Sequence, residues 1–160
     1  MATNANLNKK PIGWVLQTET LSTVGTVAAP TKTLVATDSG MVFFIDISTV
    51  SVVVQLPTPA AGLNFKFVLA VASDNENVKD FLVNTGDSTV DINGNILIDG
   101  AHLEITSATS AINMDSNVAP ATAGDWFEYT CDGTDWYIQG SVDSASAVAL
   151  NDAYSGITPA

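Results

Sequence analysis

His102 and Cys131 are the only histidine and the only cysteine among 160 residues. A histidine acting as general base needs a nucleophile to activate and a third group to orient its ring. No serine or cysteine in a nucleophile setting accompanies His102, which alternates with Leu103 and Ile105 as a residue on the wet face of a strand does. Cys131 follows Phe127 and Tyr129 at period two, on the apolar face, where a thiol behaves as a small hydrophobe. A reactive thiolate requires neighbouring positive charge, and this chain is poor in it. Asp87, Asp91, Asn93, Asn95 and Asp99 offer hard oxygens that could hold calcium. Their glycine is misplaced for a helix-loop-helix calcium loop, no glutamate closes one, and Asx turns account for the same spacing. A glycosidase would need two carboxylates across a cleft, and no pair stands out among 17 acids. Trp126, Trp136 and Tyr137 could stack on sugars, but aromatics on paired strands more often fill cross-strand packing. No phosphate loop, dinucleotide fingerprint or Cys/His metal spacing occurs. The sequence therefore predicts no enzyme, no cofactor and no metal.

The elements that would carry these residues read as strands and turns. Met41, Phe43, Ile45 and Ile47 share one face of a strand, and Val42, Phe44 and Asp46 the other. Apolar residues on both faces predict a central strand, covered by two layers or by a neighbouring subunit. Val50, Val52, Val54 and Leu56 form the next stripe, ended by Pro57 and Pro59, which cannot donate to a ladder. Phe65, Phe67, Leu69 and Val71 line a long strand whose other face carries Asn64, Lys66 and Val68. Lys79–Thr85 and Thr89–Ile92 read as strands, and Asn93-Gly94-Asn95 as a tight hairpin turn. Asn95–Ile98 and His102–Thr106 pair around Asp99-Gly100, residues 107–125 read as a loop, and Trp126–Cys131 with Asp135–Gln139 flank Asp132-Gly133. The expected fold is all-β: an antiparallel sandwich or small barrel of about ten short strands. Residues 1–30 read as an extended arm with one apolar island, Trp14, Val15 and Leu16. The β-domain runs over 31–140, and 141–160 is a small polar tail with a weak helical turn around Ala145–Leu150. No internal repeat is evident.

Composition narrows the partners. Charged residues make up only 14% against roughly 25% in ordinary globular chains, and apolar residues reach 46%. Such faces lose little on burial against protein, because desolvating charge is what makes contact costly. The cations are Lys9, Lys10, Lys32, Lys66 and Lys79, without arginine, and the formal net charge is −12. Nucleic acid and anionic membrane surfaces both attract cations, so neither suits this chain. No run of roughly 18 apolar residues is present. The start lacks an apolar signal region, which predicts synthesis in a cytoplasm without a secretory leader.

Three separated stretches form an ordered signature. Thr37-Asp38-Ser39-Gly40 leads a strand, Leu56-Pro57-Thr58-Pro59-Ala60-Ala61-Gly62 links to Phe65-Lys66-Phe67, and Gly124-Asp125-Trp126 precedes Asp132-Gly133-Thr134-Asp135-Trp136-Tyr137. This set, spanning about residues 33–140, resembles a β-rich module widespread in virion proteins of tailed bacteriophages. That module occurs in head decoration proteins, head fibres and tail-fibre tips, commonly as homotrimers. A chain this short, with no fibre shaft, most resembles a capsid decoration (cement) protein. The resemblance implies a virion protein on the outer capsid surface whose partners are the major capsid protein and copies of itself. Within that reading, Trp14, Val15 and Leu16 are expected to dock on the capsid, and Val42, Phe44, Phe65 and Phe67 to line a trimer interface. The competing reading is a receptor- or glycan-binding tip using Trp136 and Tyr137 with Asp135.

Overall fold

A computed structural model describes residues 16–72, 79–106, 109–114, 121–143 and 148–151. These residues form an all-β chain of two mixed sheets. The larger sheet has the order β1 (Thr18–Leu21), β3 (Val42–Asp46), β5 (Asn64–Val71), β10 (Trp126–Cys131), β11 (Trp136–Val142), β7 (Ile92–Ile98), β8 (Ala101–Ile105). The smaller has the order β12 (Val148–Asn151), β9 (Ala111–Met114), β6 (Phe81–Asn84), β4 (Val52–Gln55), β2 (Lys32–Thr33). The expectation of an antiparallel fold is corrected, since five of the ten pairings among described residues are parallel.

The parallel pairings have one origin. From β1 to β6 the chain crosses between the sheets at every step, and each return lies beside the previous strand of that sheet. Thr18, Val42 and Lys66 lie side by side, a step of 24 residues from position 18 to 42 to 66. Lys32, Val54 and Val83 lie side by side in the smaller sheet. The first half is therefore a three-turn coil of the kind that repeat proteins stack. It escapes a sequence search because alternating apolar residues, rather than particular residue types, fix each turn's register.

Both sheets contribute to one core. Phe67 of β5 packs 5.5 Å from Phe81 of β6, centroid to centroid, and Phe81 reaches Phe127 of β10 at 6.5 Å. Phe43, Ile45, Phe65, Phe67, Leu69, Phe127, Tyr129 and Trp136 are all buried on the larger sheet's inner face. Val52–Val54 are buried in succession because outward Val53 joins Leu82 and Ala111 in a second small cluster.

Several local expectations change. Thr18–Leu21, inside the expected arm, is an edge strand paired with β3. Ala111–Met114, inside the expected loop, pairs with β6. Val148–Asn151 pairs with β9 as a strand where a helical turn was expected. Asn93-Gly94-Asn95 is not a hairpin but the middle of β7, running parallel to β11. Gly94 is there for proximity: a Cβ on it would lie 2.0 Å from the Ile138 carbonyl oxygen, at φ +140°. The turn that joins β7 to β8 is Asp99-Gly100, as the sequence suggested, with both residues at positive φ.

Among the described residues, the Tyr129 hydroxyl and Trp136 Nε1 lie in the main core cluster without a hydrogen-bond partner. A buried donor left unmade costs about 1–3 kcal/mol. Tyr129→Phe is therefore expected to raise the melting temperature by a few degrees. Burial also pushes the Tyr129 phenol well above its ordinary value of 10.0. The folded chain keeps that proton while the unfolded chain releases it from pH 10.0 upward, so stability falls as pH climbs past that point. Alkaline unfolding followed by circular dichroism should move to higher pH in Tyr129→Phe, and an unmoved midpoint would count against this assignment.

Candidate interaction face

Strand alternation that buries Phe43, Phe67 and Phe127 turns their neighbours outward. Register then aligns the outward residues into rows that cross all seven strands. One row is Thr20, Phe44, Val68, Trp126, Ser141, Leu97 and His102. The next is Thr18, Val42, Lys66, Glu128, Gln139, Asn95 and Glu104. Phe44 and Leu97 are each 37% exposed, and Val42, Val68 and Trp126 are half-buried. Only Lys66, Glu128 and Glu104 carry formal charge in these rows. The Lys66 ammonium sits 4.4 Å over the Trp126 ring and its residue stands opposite Glu128. In a chain of net charge −12, this broad face is close to neutral.

The residues expected to bind distribute unevenly. Trp14 and Val15 lie outside the described residues. Leu16 is exposed just before β1. Val42 and Phe44 sit on the outward face as expected, but Phe44 is not covered by a second layer. Phe65 and Phe67 are corrected: both are buried in the chain's own core and cannot contact another subunit. The residues that join Val42 and Phe44 are instead Val68, Trp126 and Leu97. Alternation sets Val68 on the face opposite Phe65 and Phe67, and the pairing of β5 with β10, β10 with β11 and β11 with β7 brings it into one row with Trp126 and Leu97.

No family model matches this chain, and no curated protein matches it either. The three stretches of the signature nevertheless converge on one contiguous unit. Gly40 donates its N–H to the Asn64 carbonyl at 2.8 Å, and Ser39 Oγ accepts the Asn64 N–H at 3.0 Å, joining the first stretch to the second. Gly62 N–H donates to the Cys131 carbonyl and Cys131 N–H to the Leu63 carbonyl, both at 2.9 Å, joining the second to the third. Each of its turn aspartates accepts backbone N–H groups: Asp38 from Val35, Asp125 from Thr122 and Asp143, Asp132 from Thr134 and Asp135. Those last two bonds hold the Asp132 carboxyl below its ordinary range.

The remaining candidate residues make local contacts. Trp136 is buried, so it cannot stack on a sugar, and only Tyr137 of that pair is exposed. The Tyr137 hydroxyl donates to Asp132 at 3.1 Å, and that bond with the adjacent charge raises its proton affinity. His102 Nδ1 lies 2.8 Å from Asn95 Oδ1. Cys131 is buried, and its sulfur accepts the Gly133 N–H. Asp87 closes a turn onto the Thr89 N–H and hydroxyl. Among the described residues no group of three or more His, Cys, Asp or Glu is placed to hold a metal ion.

Proposed function

We propose that this chain is a viral structural protein, a capsid decoration protein that binds the outer surface of a phage head and stabilises it as a homotrimer. The observation that carries this reading is the convergence of the three signature stretches into one hydrogen-bonded unit across β3, β5, β10 and β11. Stretches far apart in sequence thus form one structural unit, which is what a shared module would require. We read the architecture as a sandwich, since each sheet keeps two edges, β1 with β8 and β12 with β2. The near-neutral outward rows containing Val42, Phe44 and Trp126 suit association with further copies, because little charge is desolvated there.

Capsid contact falls to the segment around Trp14, Val15 and Leu16, presented three times by a trimer so that weak contacts add through effective concentration. Thr18 onward belongs to the larger sheet, so a truncation that tests docking must end before it. Deleting residues 1–16 is expected to leave melting temperature and oligomer mass unchanged while abolishing co-sedimentation with undecorated heads of its own virus. Full retention of the truncated protein on heads would overturn the docking assignment, and failure of the intact protein to bind heads would overturn the function. A glycan-binding tip is the second reading, favoured by the exposed Tyr137 beside Asp132. It predicts glycan-array binding that Tyr137→Ala removes.

A further inference from the structure

The three-turn coil has an open end, and that end is closed by charge. Inner positions of successive turns hold Phe67 in β5 and Phe43 in β3, and the same register position in β1 is Glu19. In the smaller sheet Val83 and Val54 occupy the core, and the equivalent position in β2 is Lys32. Both substitutions fall on the terminal turn, whose two strands are the edges of their sheets. Lys32 Nζ donates to Glu19 Oε2 at 2.6 Å, spanning from one sheet to the other, and stands 5.8 Å from the Phe43 ring centre. The side chains are 25% and 37% exposed, so the pair sits at the rim of the core with its charge partly in water.

We propose that the Glu19–Lys32 pair keeps this end of the coil from adding to a second copy of the chain. Two parallel edge strands over an apolar core are a template for further strands, and end turns of stacked proteins remain soluble when their outer face is polar. Leu21 and Leu34 follow Glu19 and Lys32 at period two and are buried, so removing the pair's charge would leave an apolar rim between two strands that are sheet edges among the described residues. The occupant is a second copy, because its own end presents the same two edge strands, and one edge strand can pair with another by backbone hydrogen bonds about a two-fold axis.

The test compares the parent with two neutralised variants and one reversed variant by light-scattering mass across a hundredfold range of concentration. Glu19→Leu/Lys32→Leu and the near-isosteric Glu19→Gln/Lys32→Met are expected to reach at least twice the parent's mass at the concentrated end. The reversed pair Glu19→Lys/Lys32→Glu is expected to keep the parent's mass. Thr33→Cys, added to either neutralised variant, should capture the larger species as a disulfide, whereas Ala101→Cys on the far edge strand β8 should not. Should the leucine pair not fold, the isosteric pair decides. Parent mass at every concentration in the folded neutral variant would overturn the proposal, as would equal capture through Ala101→Cys.

Discussion

Gly94→Val is expected to abolish soluble expression or to destabilise the fold by about 4 kcal/mol or more, at the extreme of what single substitutions do. The Ile138 carbonyl oxygen occupies the space a Cβ would need, 2.0 Å away, and the Ile138 amide nitrogen and carbonyl carbon lie at 2.9 and 3.0 Å. Backbone, not a flexible side chain, is the obstacle, so relief requires β7 to leave β11. That pairing runs over seven residues, from Trp136 opposite Ile92 to Val142 opposite Ile98, and among the described residues it alone ties the β7–β8 hairpin to the rest of the larger sheet. Gly100→Ala is the matched control. It has positive φ too, but no atom lies within 4 Å of its Cβ, so a cost of about 1 kcal/mol is expected. Chemical denaturation of the pair separates steric blockage from backbone preference, and equal losses would refute the close-approach argument.

Asp125→Ala should cost about 3 kcal/mol, with Asp125→Asn intermediate. The side chain is buried, and its two oxygens accept the Thr122 N–H at 2.8 Å, the Thr122 hydroxyl at 3.3 Å and the Asp143 N–H at 3.0 Å. Truncation removes three hydrogen bonds at a part-buried site and leaves the Thr122 and Asp143 N–H groups without their shared acceptor. One carboxylate thus fastens the turn before β10 to the end of β11. A urea midpoint unchanged within error in Asp125→Ala would show that water replaces the carboxylate without loss.

The two predictions fall on residues whose roles were unevenly legible. Asp125 belongs to a turn signature that the sequence displays openly, but nothing in that signature points to its bond from the Asp143 N–H, eighteen residues on. Gly94 was misread because Asn-Gly is the strongest short-range hairpin signal, and only the parallel approach of β11, more than forty residues downstream, explains the glycine. The same limit governed the candidate face. Alternation along β3 and β5 separates the two faces of each strand, Val42, Phe44 and Val68 from Phe43, Phe65 and Phe67, but does not tell the core side from the exposed side. Phe65 and Phe67 were assigned to an interface for that reason. Cross-sheet winding was hidden altogether, because a turn of 24 residues carries apolar alternation but no recurring residue type.

The larger sheet is also assembled out of order. Its middle, β10 and β11, is supplied by residues 126–142, whereas both flanks, β5 on one side and β7 with β8 on the other, precede it in the chain. A ribosome would release both flanks before the piece that joins them, so the coil can begin to wind while β7 and β8 still wait for an anchor. Maturation of the domain is then gated by its last quarter. A nascent chain stalled before residue 126 would show a protease-sensitive β7–β8 segment that becomes protected when the closing hairpin arrives.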